Sequence, residues 1–150
     1  MDIASTFNPT TLTADYRVSG GALASDADLQ TAVIISLFTD RRAQDDDALP
    51  DASASKRGWW GDALSSAGRI GSRLWLLGRE KQTERTVNRA REYAQEALAW
   101  LVEAGVASSI DVQAQTVRMG VLGLFVQINR PQGQPSERLR FDVLWEQLRK

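Results

Sequence analysis

"TERTVNRAREYAQEALAWLVEAGV", Thr83 to Val106, decides the architecture. Val87, Ala90, Ala94, Ala97, Leu98 and Leu101 recur at helical spacing and form one apolar stripe, widened by Tyr93 and Trp100. Thr83 can accept a backbone N–H at the start, and Glu84 suits the positive end of a helix. Gly105 supplies a left-handed stop, with Val106 placed to fold back on the last turn. The spacing predicts one long amphipathic helix. Its alanine-rich middle predicts close contact with a sheet or another helix.

After this helix the period changes to two. Ile110, Val112 and Ala114 share one face, opposite Asp111, Gln113 and Gln115. Leu122, Leu124, Val126 and Ile128 make a second stripe. "NRPQGQPSE" is a Pro/Gly turn, after which Leu139, Phe141, Val143 and Trp145 alternate with charged residues. The chain therefore reads as α+β: a single domain in which an antiparallel meander of three to four strands packs against one long helix and shorter helices.

Upstream, "TADYRVSGGALASD" reads as a short hairpin turning at Gly20-Gly21. In "DADLQTAVIISLFTDRR", Leu29, Val33 and Leu37 favour a helix from about Asp26 to Phe38, with Ser25 or Asp26 as its cap. Residues 40–57, "DRRAQDDDALPDASASKR", hold almost nothing to bury and read as a polar, flexible surface loop. Its three consecutive Asp residues lack the spacing and the glycine of a calcium loop, so no metal is expected.

The 150 residues suffice for one core, and 43% apolar with 25% charged residues is ordinary globular composition. Net charge is −1, unevenly spread: ten Asp and five Lys/Arg in residues 1–62, thirteen Lys/Arg and nine Asp/Glu in 63–150. Such a polarity can orient a chain within an assembly, though solvated faces give the same totals. Neither Cys nor His occurs, which excludes thiol nucleophiles, Cys/His zinc sites and imidazole bases. No signal peptide and no membrane-length apolar run is read, so a soluble protein is expected.

No phosphate-cradling glycine loop or nucleophile elbow appears. What survives is a carboxylate pair: Asp62 and Glu80 flank a tryptophan-rich stretch on which a sugar could stack, the lysozyme-like alternative. Arg69, Arg73, Arg79, Lys81, Arg85, Arg89 and Arg91 are interleaved with Glu80, Glu84 and Glu92, the pattern of a solvated helix face. No nucleic acid, membrane, cofactor or small-molecule substrate is expected.

The order "LQTAVIISLFTDRRA", "RGWWGD", "GSRLWLL" and "REYAQEALAWLVEAGV", closing with strands, resembles the Mu-type phage baseplate protein family (Mu gene product 46). That family is related to the contractile-tail wedge proteins of the T4 gene product 25 type. The resemblance runs from about Asp15 to Trp145. It implies a non-catalytic structural subunit of the tail baseplate in the virion, present in several copies and contacting other wedge subunits and the sheath.

It also implies that Asp40, Arg41 and Arg42 meet Arg57, Trp59, Trp60 and Asp62 as two ends of one loop beside the long helix, near Arg73 and Trp75. Adjacent residues on extended backbone point to opposite faces. One of Trp59 and Trp60 would then anchor the fold while the other serves an interface. Burial of both in the core is the alternative. The last strand, Leu139, Arg140, Phe141, Asp142, Val143, Leu144 and Trp145, is expected at a sheet edge used for assembly; a covered strand is the alternative.

Overall fold

The computed structural model describes residues 2–26, 29–66 and 69–149. Residues 2–26 pair as short antiparallel ladders: β1 (Asp2–Ile3) with β6 (Ser25–Asp26), β2 (Ser5–Asn8) with β3 (Thr13–Tyr16), and β4 (Val18–Ser19) with β5 (Ala22–Leu23). Gly20 and Gly21, at φ 61° and 79°, close the β4–β5 hairpin as their sequence predicts. The three ladders meet at a closed triangle of backbone hydrogen bonds. Ala4 N–H donates to Ala24 (2.7 Å), Ala24 to Arg17 (2.8 Å) and Arg17 to Ala4 (2.9 Å). The amides of Ala4, Arg17 and Ala24 are thereby satisfied where the three ladders end.

Helix α1 spans Gln30–Phe38, and its start corrects the sequence expectation. Ser25 and Asp26 belong to β6 and precede the helix by several residues, and residues 27–28 lie outside the described residues. Leu29 takes the N-cap position without a side-chain cap. Its amide instead donates to Glu137 Oε2 from the far end of the chain, 3.1 Å away. An acidic group suits this end of a helix wherever it comes from in sequence. Thr31 ties α1 to the junction, accepting from Ser5 N–H at 3.3 Å.

Residues 40–57 form no helix and, among the described residues, touch another segment in sheet fashion only at the Asp40–Ser72 bridge. They have more to bury than their composition suggests: Ala43 is fully enclosed and Leu49 packs on the core. Two 3-10 turns follow, Trp60–Leu64 and Leu74–Leu77, and all four residues of the second are buried.

Helix α2 (Glu84–Glu103) forms as its pattern predicts, with Thr83 Oγ1 accepting Thr86 N–H at 3.3 Å. At its end Gly105 (φ 72°) donates to Val102 and Val106 donates back to Leu101, so these two carbonyls of the last turn are satisfied. Leu98 and Leu101 lose all contact with water, each worth about 1.5–3 kcal/mol relative to exposure. Trp100 departs from the stripe: it is 43% exposed at the α1–α2 border, its Nε1–H donating to Ser36 Oγ at 3.0 Å.

The sheet is the expected meander in the order β7 (Ser109–Arg118), β8 (Val121–Asn129), β9 (Glu137–Leu144). Its inner face carries Val112, Leu124, Val126, Phe141 and Val143, and α2 lies across β7 on that face. Phe7 stacks on Phe38 (centroids 4.2 Å) and meets Phe141 edge-on at 5.6 Å, joining the N-terminal ladders, α1 and β9.

Strand β9 ends at Leu144, one residue short of expectation. Trp145 opens a 3-10 turn (Trp145–Arg149), although its amide still donates to Gly120 O at 2.8 Å. Antiparallel amides alternate between partner and open side. That bond therefore points the amides of Arg140, Asp142 and Leu144 away from β8.

Candidate docking site

The two ends of the 40–57 loop do come together. Ala43 N–H donates to Lys56 O at 2.9 Å, and Arg57 Nη1 donates to Asp40 Oδ2 at 2.8 Å. Arg57 (φ 50°) and Gly58 (φ 107°) turn the chain here. A Cβ on Gly58 would stand 2.8 Å from Arg42 Cβ, so both backbone conformation and space select glycine.

Trp75 lies beneath this closure. It is 3% exposed, its Nε1–H donates to Arg41 O at 2.8 Å, and the Arg57 guanidinium sits 4.5 Å above its ring. Gly71 (φ 94°) lets the next segment approach Thr39, whose carbonyl accepts Ser72 N–H at 2.9 Å. The buried Ser72 hydroxyl donates to Leu37 O at the end of α1.

Arg73 locks three elements. Its Nε donates to Glu96 Oε2 of α2 at 2.9 Å, its Nη1 meets Asp47 Oδ1 at 2.8 Å, and its guanidinium covers the Tyr93 ring at 4.5 Å. Burial works against the charge of Arg73, but the hydrogen bonds and charges of Asp47 and Glu96 outweigh it and raise its pKa. Arg41 adds a looser contact to Glu96 at 3.8 Å.

On this scaffold Trp59 and Trp60 behave otherwise than the sequence predicts. Neither enters the core: Trp59 is 42% exposed and Trp60 77%. Trp59 is extended (φ −87°, ψ 133°), but Trp60 begins a 3-10 turn, so the strict alternation of an extended segment does not apply. The rings stay side by side, centroids 5.4 Å apart. Trp59 folds over Gly61, where a Cβ would stand 2.2 Å from the indole. Trp59, Ile35, Ile70 and Trp100 border a groove of about 410 Å³ between α1 and α2.

Asp62 helps line this groove, accepting Ile70 N–H at 3.0 Å, while its other carboxylate oxygen is buried and has no hydrogen-bond partner among the described residues. Glu80 sits elsewhere, held by Arg89 and near the Thr86 hydroxyl before α2. It lines neither of the grooves that contain Asp62. The structure does not assemble the carboxylate pair. Sequence reading missed Asp47, Tyr93, Glu96 and Ser72. Their only local signals were an acid within "DDD", a helix face and the "GSR" triplet, and none of these specifies a partner.

These features define a small α+β protein that presents an exposed aromatic pair on a rigid, ion-paired base. The model of the phage protein GP46 family matches residues 29–135, and the chain belongs to that family. It is 51% identical over 119 residues to the baseplate protein gp46 of Escherichia phage Mu, covering 79% of this chain and 81% of that protein. It is 40% identical over 124 residues to the Mu-like prophage FluMu protein gp46 of Haemophilus influenzae, covering 83% and 84%.

Proposed function

We propose that the chain is a structural subunit of the baseplate of a contractile phage tail or tail-like particle, acting through protein–protein contacts and without catalysis. The similarity to the Mu baseplate protein over four-fifths of both chains carries the reading. Its partners are other baseplate wedge subunits and the end of the sheath, and several copies enter each particle. The exposed indoles beside Arg42 and Asp62 suit such contacts, because tryptophan and arginine are the favoured anchors of interfaces.

The open side of β9 serves as a second contact, taking a strand of the sheath by main-chain pairing. Arg140 and Asp142 are paired on the outer face (3.0 Å), leaving that edge charged yet locally neutral. Proline tests it. Asp142→Pro removes an outward amide and should give a folded chain that fails to join tails in co-sedimentation. Val143→Pro, which breaks the ladder, should unfold it. Normal tail incorporation of Asp142→Pro refutes the edge contact. Co-sedimentation of the unaltered chain with tail particles tests the reading as a whole, and its absence refutes it. Release of soluble sugar from peptidoglycan, lost in Asp62→Asn, would refute the non-catalytic part.

A further inference from the structure

Single exposed aliphatic side chains are ordinary, but clusters of them call for a partner. The chain carries two clusters on different surfaces. One is the α1–α2 groove, where half-exposed Ile35, Trp59 and Trp100 face water, with the exposed Trp60 lying against Trp59 at its border. Helix α1 holds no charged residue to solvate that face. The other is the N-terminal hairpin, where Tyr16, Val18 and Leu23 are 64%, 65% and 52% exposed. A two-residue ladder closed by Gly20-Gly21 has no interior of its own in which to bury them.

A carboxylate on one surface matches cations beside the other. Asp15 is exposed beside Tyr16 at the base of the hairpin, with the exposed Arg17 on the other side of Tyr16 along the chain. Arg42 and Arg69 are exposed beside the indole pair, and neither has an ion-pair partner among the described residues. Their neighbours Arg41, Arg57 and Arg73 are engaged by Glu96, Asp40 and Asp47. Asp45 feels the charge of both and Asp62 lines the same pocket, but neither arginine is in salt-bridge contact with them. Both can therefore take an outside carboxylate, and the hairpin provides one next to its apolar residues.

We propose that these surfaces bind each other between copies. The N-terminal hairpin of one copy seats on the Trp59–Trp60 groove of the next, with Val18 and Leu23 covering the indoles and Asp15 facing Arg42 and Arg69. Because hairpin and groove are different surfaces, the contact is heterologous. Each copy offers both halves, so the contact repeats around a ring or along a chain of copies. This deepens the reading of the chain as an assembly subunit and rests on it for the number of copies, not for the contact itself.

Sedimentation equilibrium of the full chain tests the contact directly. Association should rise with concentration and weaken with salt. Trp60→Ala and Val18→Asp should each weaken it by about tenfold or more while leaving thermal unfolding unchanged. Asp15→Arg and Arg69→Glu should each weaken it, and the double variant should regain most of the loss. A chain that stays monomeric to about 1 mM overturns the proposal. So does association indifferent to Trp60 and Val18, or a double variant no better than the singles. Co-sedimentation with tails, measured separately, would still judge the baseplate reading.

Discussion

Arg73→Met removes the guanidinium from the point where the loop, the buried 3-10 turn and α2 meet, while keeping a stem of similar length. The Arg73 and Asp47 side chains are only 15% and 9% exposed, so this is a largely desolvated pair. Leaving one partner of a buried pair alone costs about 3–5 kcal/mol. Asp47 keeps one hydrogen bond, from Gln44 N–H at 2.8 Å, and Glu96 keeps Arg41, which lowers the figure. Loss of the contact over Tyr93 raises it by about 0.5–1 kcal/mol. The expected destabilisation is about 3 kcal/mol, or roughly 6–12 °C in Tm for a chain of this size. Urea unfolding followed by tryptophan fluorescence, with thermal unfolding by circular dichroism, measures it. Asp47→Asn in the Arg73→Met background should recover about 1–2 kcal/mol by removing the stranded charge. Arg73→Lys should rescue poorly, since one ammonium cannot reach Asp47 and Glu96 and cover the ring together. A loss under about 0.5 kcal/mol in Arg73→Met, the scale of an ordinary surface change, would refute the argument.

Gly71→Ala should cost about 3 kcal/mol or more, because φ is 94° and the new Cβ would lie 2.3 Å from Thr39 O; an unchanged urea midpoint would contradict this. Trp60→Ala should leave stability within about 0.5 kcal/mol, and Trp59→Ala should lower it by about 1–2 kcal/mol by uncovering Gly61. Large, equal losses in both would contradict their exposure. The Lys56 ammonium holds the Asp45 carboxyl below its ordinary value of 3.8, first by hydrogen bond and then by charge. Stability from that contact is present above 3.8 and disappears as pH falls through the lowered value. Carboxyl NMR titration should show a low Asp45 midpoint that moves back toward the ordinary value in Lys56→Ala, with Arg42 and Arg69 still acting on it. Proteinase K should first cut the 40–57 loop within residues 51–55, which lack the anchors that Ala43, Asp47 and Leu49 give the earlier part. First cleavage at 43–49 would show those anchors to be weak.

The elements that could be read were those whose information is periodic. Helix α2 and strands β7 to β9 bury one face each, so their apolar residues must recur at the period of the backbone. The start of α1 could not be read, because its capping carboxylate is Glu137, more than a hundred residues away. The triangle at Ala4, Arg17 and Ala24 could not be read either. It is made of backbone groups, and the side chains there carry no pattern for it. The anchors of the 40–57 loop are single residues, Ala43, Asp47 and Leu49, within a segment whose average composition is polar. Composition averages away the few contacts that hold such a loop.

The tryptophan pair shows where the inference from residue type to burial fails. An indole is large and apolar, and its placement in the core is a sound default for a single domain. Here Trp75 and Trp145 take core positions, while Trp59 and Trp60 are held outside by backbone geometry. The left-handed Arg57-Gly58 step, the ion pair of Arg57 with Asp40, and the 3-10 turn from Trp60 together set the course of the segment. Truncating Trp60 should cost folding little, so folding stability does not account for an aromatic at that position. Binding does. An indole on a loop already pinned at both ends loses less conformational freedom when a partner arrives than one on a free loop, and each side chain spared from ordering preserves about 0.5–1.5 kcal/mol of affinity. In the proposed docking contact, the arginines, acids and glycines around the pair would thus act by holding the indoles in place before the partner is met.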